Sequence, residues 1–250
     1  MSLAPPDLPR DAAKCVPPIP VPAYGGGGAF SVACAAVIAG PALACLEKVL
    51  DLPGYGAWNT FVPTASVVAA ASASPLPPSP SSDAPAPPPE LAALAARPGY
   101  AAPGARIRFA AVMVPGGAPR SVDLVVTALE AFTPPNSNND DDDDGGGVAT
   151  VGYRVAWKAV GLPRFVLRSE RVQEFVERRR RSADRRGGGG GVVETHYATW
   201  ETFGGAVAYV LPGAQLEGGF SRWVDGLRKV VEEGEGEGEG KEEDEEGAAR

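Results

Sequence analysis

Residues 30–63 read FSVACAAVIAGPALACLEKVLDLPGYGAWNTFVP. The first part, 30–38, is rich in β-branched and small apolar residues, and it ends at Gly40-Pro41, a pair that stops a strand and opens a helix. Leu43, Leu46 and Leu50 then recur at helical spacing, so 41–50 reads as a short helix with one side available to bury. The remainder, DLPGYGAWNTFVP at 51–63, crowds Tyr55, Trp58 and Phe61 among prolines and glycines. Aromatic rings supply large buried area on few residues, which suits a segment with little regular backbone. The segment therefore reads as a turn-rich cap wedged onto a core. The run 29–46 is charge-free for 18 residues, the lower limit for a membrane-spanning helix. Gly40-Pro41 interrupts it and alanine dominates it, so no span is expected.

Downstream the periodicity changes. In 105–114, Ile107, Phe109, Ala111 and Met113 alternate with Arg106 and Arg108, the signature of a half-buried strand. Val122, Leu124, Val126 and Ala128 form one face of the next strand. Ala149, Val151, Tyr153, Val155 and Trp157 form one face of the strand after it. RFVLRSERVQEFVE (164–177) reads as a further strand and VVETHYATWETF (192–203) as the last. Leu216, Phe220, Trp223, Leu227 and Val230 then fall four, three, four and three apart, which makes one apolar stripe on a helix. A strand, a short helical region, five or six antiparallel strands and a long helix describe an α+β chain.

Between these elements lie segments that cannot pack. The 250 residues include 32 glycines and 26 prolines, and these cluster. Residues 1–28 are Pro-rich and expected to be disordered. Residues 72–90 form a Pro/Ala/Ser linker, 134–147 an acidic loop, 178–191 a basic loop ending in glycines, and 232–250 an acidic tail. The domain is thus expected at 29–231, with three disordered insertions. The net charge of −8 resides in these segments: without the five aspartates at 140–144 and the ten acidic and two basic residues at 232–250, 31 acidic and 23 basic residues become 16 and 21. Cys15, Cys34 and Cys45 are odd in number and lack metal-binding spacing, so neither a disulfide framework nor a zinc site is indicated.

The order of elements, with the aromatic stretch after the first helix, resembles the helix-grip fold of the START-like (SRPBCC) superfamily. That group holds polyketide cyclases, birch-pollen-allergen relatives and coenzyme-Q-binding START-domain proteins. Asp51, Leu52, Tyr55, Trp58, Asn59 and Phe61 fit its pattern D-[FL]-x-x-Y-x-x-W-N-x-F, and VETHYATWETFGG running toward LEGGFSRWVDGLRK is similar to its final strand and gripping helix. The resemblance covers roughly 29–231, linkers excluded. It implies a curved antiparallel sheet wrapped around the long C-terminal helix, two short helices after the first strand, and a cavity between sheet and helix that the cap closes at one end. Tyr55, Trp58, Phe61, Phe109, Tyr153, Trp157, Tyr197 and Phe220 are the residues expected at that cavity. Trp58 reads first as packing, whereas the hydroxyls of Tyr55 and Tyr153 could face a ligand.

The function implied is binding, with transport as an extension, of a small hydrophobic or lipid-like molecule: a polyketide, a sterol or an isoprenoid quinone. The alternative is a cyclase or dehydratase using Tyr153 or His196 as acid–base groups; a third reading is an interaction module acting through the charged loops. No catalytic residue is assigned. The lone His196 lacks a Ser or Cys partner motif and reads as structural or surface. No cofactor, metal or nucleic acid is expected, since no aromatics interleave with the cluster from Arg178 to Arg186. That cluster offers weak contact with an anionic surface. A monomer is expected, and the absence of a secretory pattern points to an intracellular, cytoplasmic protein.

Overall fold

A computed structural model describes residues 1–70, 88–134, 148–180 and 192–247. Within them the chain is α+β, with one antiparallel sheet of eight strands and three α-helices. The strands are β1 (Lys14–Val16), β2 (Phe30–Ala39), β3 (Thr64–Ala69), β4 (Arg106–Ala111), β5 (Arg120–Phe132), β6 (Val148–Ala159), β7 (Arg168–Arg180) and β8 (Val192–Gly204). The helices are α1 (Ala42–Leu50), α2 (Pro89–Ala95) and α3 (Gly213–Gly247), with short 3₁₀ turns at Pro53–Ala57 and Ala206–Val210. The sheet order β1-β2-β8-β7-β6-β5-β4-β3 pairs β2, the first strand of the expected domain, with β8, the last. Consecutive strands from β3 to β8 then follow as a meander.

Alternation decides the two faces. Ile38, Ile107, Phe109, Val155, Trp157 and Phe175 turn to one side and join α1, the cap and α3 in the main core. Leu46, Trp223, Val224 and Leu227 meet them from the helices, fully enclosed. A register shift between Val126 and Ala128 breaks the expected face of β5. After it, Leu129 and Ala131 pack against the main core, while Ala128 turns to the other side. Val122, which the alternation predicts to share a face with Leu124, is 38 % exposed near the strand's start.

The opposite face is where the structure departs most from expectation. Residues 1–28, expected to be disordered, instead form a strap: Leu8, Ile19 and Val21 lie across this face, while Pro9 to Val16 runs along the free edge of β2 and turns Ala13 into the main core. Prolines cannot feed a sheet interior, but they hold an extended chain that can lie on a sheet at little entropic cost. Leu8, Ile19 and Val21 cover Ala33, Ala156, Val172 and Trp200 in a second, smaller core. Trp200 Nε1 donates to Pro20 O at 3.2 Å. The backbone of Pro9 and Asp11 exchanges hydrogen bonds with Ala35, at 2.7 and 2.9 Å. Arg154, on the face of β6 opposite Tyr153 and Val155, is buried beneath the strap: it bonds Glu174 and donates to Met1 O at 2.6 Å.

The other boundaries also shift. Helix α3 continues to Gly247 through most of the acidic stretch expected to be disordered. Glu90 lies in α2 and Arg178 in β7, trimming two expected insertions at their edges. Residues 71–87, 135–147 and 181–191, the bulk of the expected insertions, lie outside the described residues. No helix of the described residues is long and apolar enough to cross a membrane.

Candidate functional site: a buried guanidinium among aromatic rings

The cap is built from its own backbone. Asp51 Oδ1 accepts the N–H of Gly54 at 3.3 Å, which turns the chain out of α1. Tyr55 Oη donates to Val49 O at 2.6 Å, tying the 3₁₀ turn back to the helix it follows. Asn59 Oδ1 accepts from the N–H groups of Phe61 and Val62 at 3.1 and 2.8 Å, an Asx-type turn that directs Phe61 inward. The three aromatics of this turn-rich segment, Tyr55, Trp58 and Phe61, are all buried against α3 and the sheet.

Helix α3 approaches the cap unusually closely. A Cβ on Gly226 would fall 2.3 Å from Trp58 O, and one on Gly219 would fall 2.5 Å from the Phe61 ring. These two glycines, seven apart and therefore on one side of the helix, admit the cap. Trp223 stands between them and is the centre of the ring cluster. Its ring lies 5.4 Å from both Tyr55 and Trp58, each nearly perpendicular, and 6.2 Å from Trp157. Phe109 stands edge-on to Trp157 at 5.4 Å, and Phe61 lies 6.1 Å from Phe220.

All eight residues expected at the cavity are buried. Tyr55, Trp58, Phe61, Phe109, Trp157 and Phe220 belong to this cluster, in which rings touch rings. Tyr197 lies to one side, its ring 5.1 Å from that of Phe175 and tilted by 33°, with its hydroxyl donating to Gln173 Oε1 at 2.6 Å. Tyr153 donates to Glu90 of α2 at 3.4 Å. Burial pushes the Tyr55 hydroxyl well above the usual tyrosine range, with nearby Arg171 pulling the other way.

Two residues that the sequence did not single out complete the site. Arg171 and Gln173 alternate inward on β7, opposite Glu201 and Thr199 of β8. The Arg171 guanidinium lies 4.1 Å from the centre of the Trp223 ring and 4.2 Å from that of Phe220. Its Nε donates to Thr199 Oγ1 at 3.1 Å, while Nη2 is enclosed without an acceptor among the described residues. Gln173 Nε2, Trp223 Nε1 and Asn59 Nδ2 are likewise enclosed without acceptors. Native interiors leave few such donors, because each forfeits hydration of about 1–3 kcal/mol. Burial raises the Glu201 carboxyl above the usual range, a shift that Ser169 and Arg171 oppose.

His196 points elsewhere. It lies on the strap side of the sheet, partly exposed, with Nε2 2.9 Å from Glu194 Oε1. Tyr153 and His196 therefore occupy opposite faces, and the structure does not bring them together.

No family model matches the chain, and no curated protein matches it. Among solved structures, it is similar to a hypothetical protein from Helicobacter pylori at 12% sequence identity and a TM-score of 0.43, over 80% of this chain and 86% of the other.

Proposed function

We propose that the chain is a START-like binding protein that holds one small, largely apolar molecule between the sheet and α3, with an acceptor oxygen of that molecule on Arg171. The element order supports the helix-grip part of this reading: β2 leads through α1 and the cap into an antiparallel meander, β8 closes onto β2, and α3 follows. The observation that carries the ligand part is the set of enclosed donors on Arg171, Gln173 and Trp223. Apolar sites with a few placed polar groups fix a ligand's orientation through those groups. A quinone or polyketide carbonyl fits donors of this kind; a hydrocarbon without oxygen does not.

The rings pack against one another in the conformation described, so a ligand enters by parting them. The cap is the movable partner. It contributes Tyr55, Trp58 and Phe61 to the cluster and is held by its own turns, by the close contact with α3 and by the bond from Val112 N–H to Phe61 O at 2.7 Å. Native mass spectrometry of the full chain purified from cells, followed by organic extraction, tests the reading. A carbonyl-bearing apolar molecule retained by the wild type and absent from Arg171→Met supports it. A chain that retains nothing and ignores added quinone and polyketide overturns it.

A further inference from the structure

We propose that the strap side of the sheet carries a second, separate binding site, for a small anionic amphiphile such as a medium-chain carboxylate. A cleft of about 920 Å³ opens there between the N-terminal strap and the outer face of β2, β8 and β7. Its volume lies within the ~300–1,000 Å³ usual for small-molecule sites. The cleft exists because the strap is anchored at two places and arches between them. At one end Ser2 Oγ and the N–H groups of Leu3 and Ala4 donate to Glu174, at 2.5, 2.8 and 3.3 Å. At the other end Pro9 and Asp11 bond the backbone of Ala35. Pro5, Pro6 and Leu8 span the gap as a roof.

The floor is apolar. Register places Ala35 opposite Ala198 and Val37 opposite His196, which in turn faces Val176. Val37 is 47 % exposed, an open apolar side chain near the end of β2. The charged groups around the cleft sort into committed and free. Glu174 is bound to Arg154 and the strap, Asp11 to Arg228 at 2.6 Å, and His196 contacts Glu194. Arg10 and Arg178 form no salt bridge among the described residues, and Arg178 Nε is enclosed without an acceptor. An apolar floor and roof beside two uncommitted guanidinium groups match an apolar body with a carboxylate head, the partner that a guanidinium binds best. A neutral or cationic amphiphile leaves both arginines uncompensated.

Titrating decanoate into the full isotope-labelled chain, followed by calorimetry and NMR, tests the proposal, with decanol and decyltrimethylammonium as controls. The expected result is one bound decanoate that shifts the Val37 and His196 resonances and leaves the Trp223 indole unmoved. Arg178→Gln weakens decanoate by about tenfold or more, the loss of one charge-assisted hydrogen bond. Val37→Trp, at an exposed position that belongs to neither core, fills the floor and weakens it similarly. The controls bind at least as weakly as decanoate binds these variants. Absence of decanoate binding overturns the proposal; so does binding that both variants leave intact, or one that moves the Trp223 indole instead of Val37.

Discussion

The Arg171 guanidinium lies 4.1 Å from the centre of the Trp223 ring, inside the protein, with one terminal nitrogen lacking a hydrogen-bond acceptor among the described residues. A cation against an indole face gains roughly 0.5–2 kcal/mol or more. Leaving a charged donor unsatisfied in the same place costs as much or more. On the proposed function, an acceptor oxygen of the ligand would offset that cost.

Arg171→Met separates the two roles. Methionine keeps most of the side chain's volume and removes the unsatisfied donor. Urea unfolding is expected to show stability unchanged or raised by up to ~3 kcal/mol, as when buried charges give way to apolar residues. Retention of a carbonyl-bearing ligand is expected to be lost in the same variant. A loss of several kcal/mol without any effect on ligand would make Arg171 a structural residue.

Gly226→Ala tests the closeness of α3 to the cap. Helix propensity alone favours alanine by about 1 kcal/mol. The added Cβ, however, falls 2.3 Å from the Trp58 carbonyl oxygen, so backbone must move. The expected outcome is destabilisation of about 1–3 kcal/mol, the range for overpacking. Gly218→Ala is the control. Nothing lies within 4 Å of its Cβ, and it is expected to stabilise by up to ~1 kcal/mol. Urea midpoints at constant m-value report both.

Glu201 sets a pH dependence. Although the residue keeps some exposed surface, desolvation of its carboxylate dominates, and its folded pKa is raised. The folded chain therefore holds this proton more tightly than the unfolded chain does. Its contribution favours folding below the ordinary carboxylate range and is lost as pH rises through the raised value. Glu201→Gln is expected to raise Tm at pH 8 more than at pH 4 and to flatten this part of the Tm–pH curve. Equal effects at both pH values would contradict the assignment.

The strap depends on Glu174. This buried carboxylate answers Arg154 and the N–H groups of Leu3 and Ala4 together. Glu174→Ala removes one of the two carboxylates on buried Arg154 and leaves it only the more exposed Glu130, a change expected to cost about 1.5–3 kcal/mol, the worth of a hydrogen bond to a charged group. Hydrogen exchange at the Leu3 and Ala4 amides is expected to become fast, while Asp11, bonded to Ala35 O, stays protected.

What the sequence made legible follows from periodicity. Ile107 and Phe109 against Arg106 and Arg108, or Val155 and Trp157 along β6, declare their faces because one side is apolar. The stripe of Leu216, Phe220, Trp223 and Leu227 declares α3 for the same reason. Strand β7 does not, because SERVQEFVE carries polar residues on both sides. Arg171 and Gln173 turn inward only because pairing with β6 and β8 places them there. The shift at Val126 and Ala128 has no glycine to announce it. The strap is not legible because prolines signal neither period, although Leu8, Ile19 and Val21 are spaced along it. Gly219 and Gly226 were visible seven apart, but glycine argues against a helix until the cap's position explains it.

The four tryptophans give the most direct test of the central claim. In a ¹⁵N–¹H NMR spectrum each contributes one indole resonance. Trp223 Nε1 is enclosed without an acceptor, whereas Trp200 Nε1 already donates to Pro20 O on the other face. Adding a short-chain isoprenoid quinone or an aromatic polyketide ketone to the full chain should shift the Trp223 indole downfield. The Trp200 resonance should stay in place, and the shift should be absent in Arg171→Met. A Trp223 resonance that neither compound moves at saturating concentration, or that moves equally without Arg171, would contradict the account.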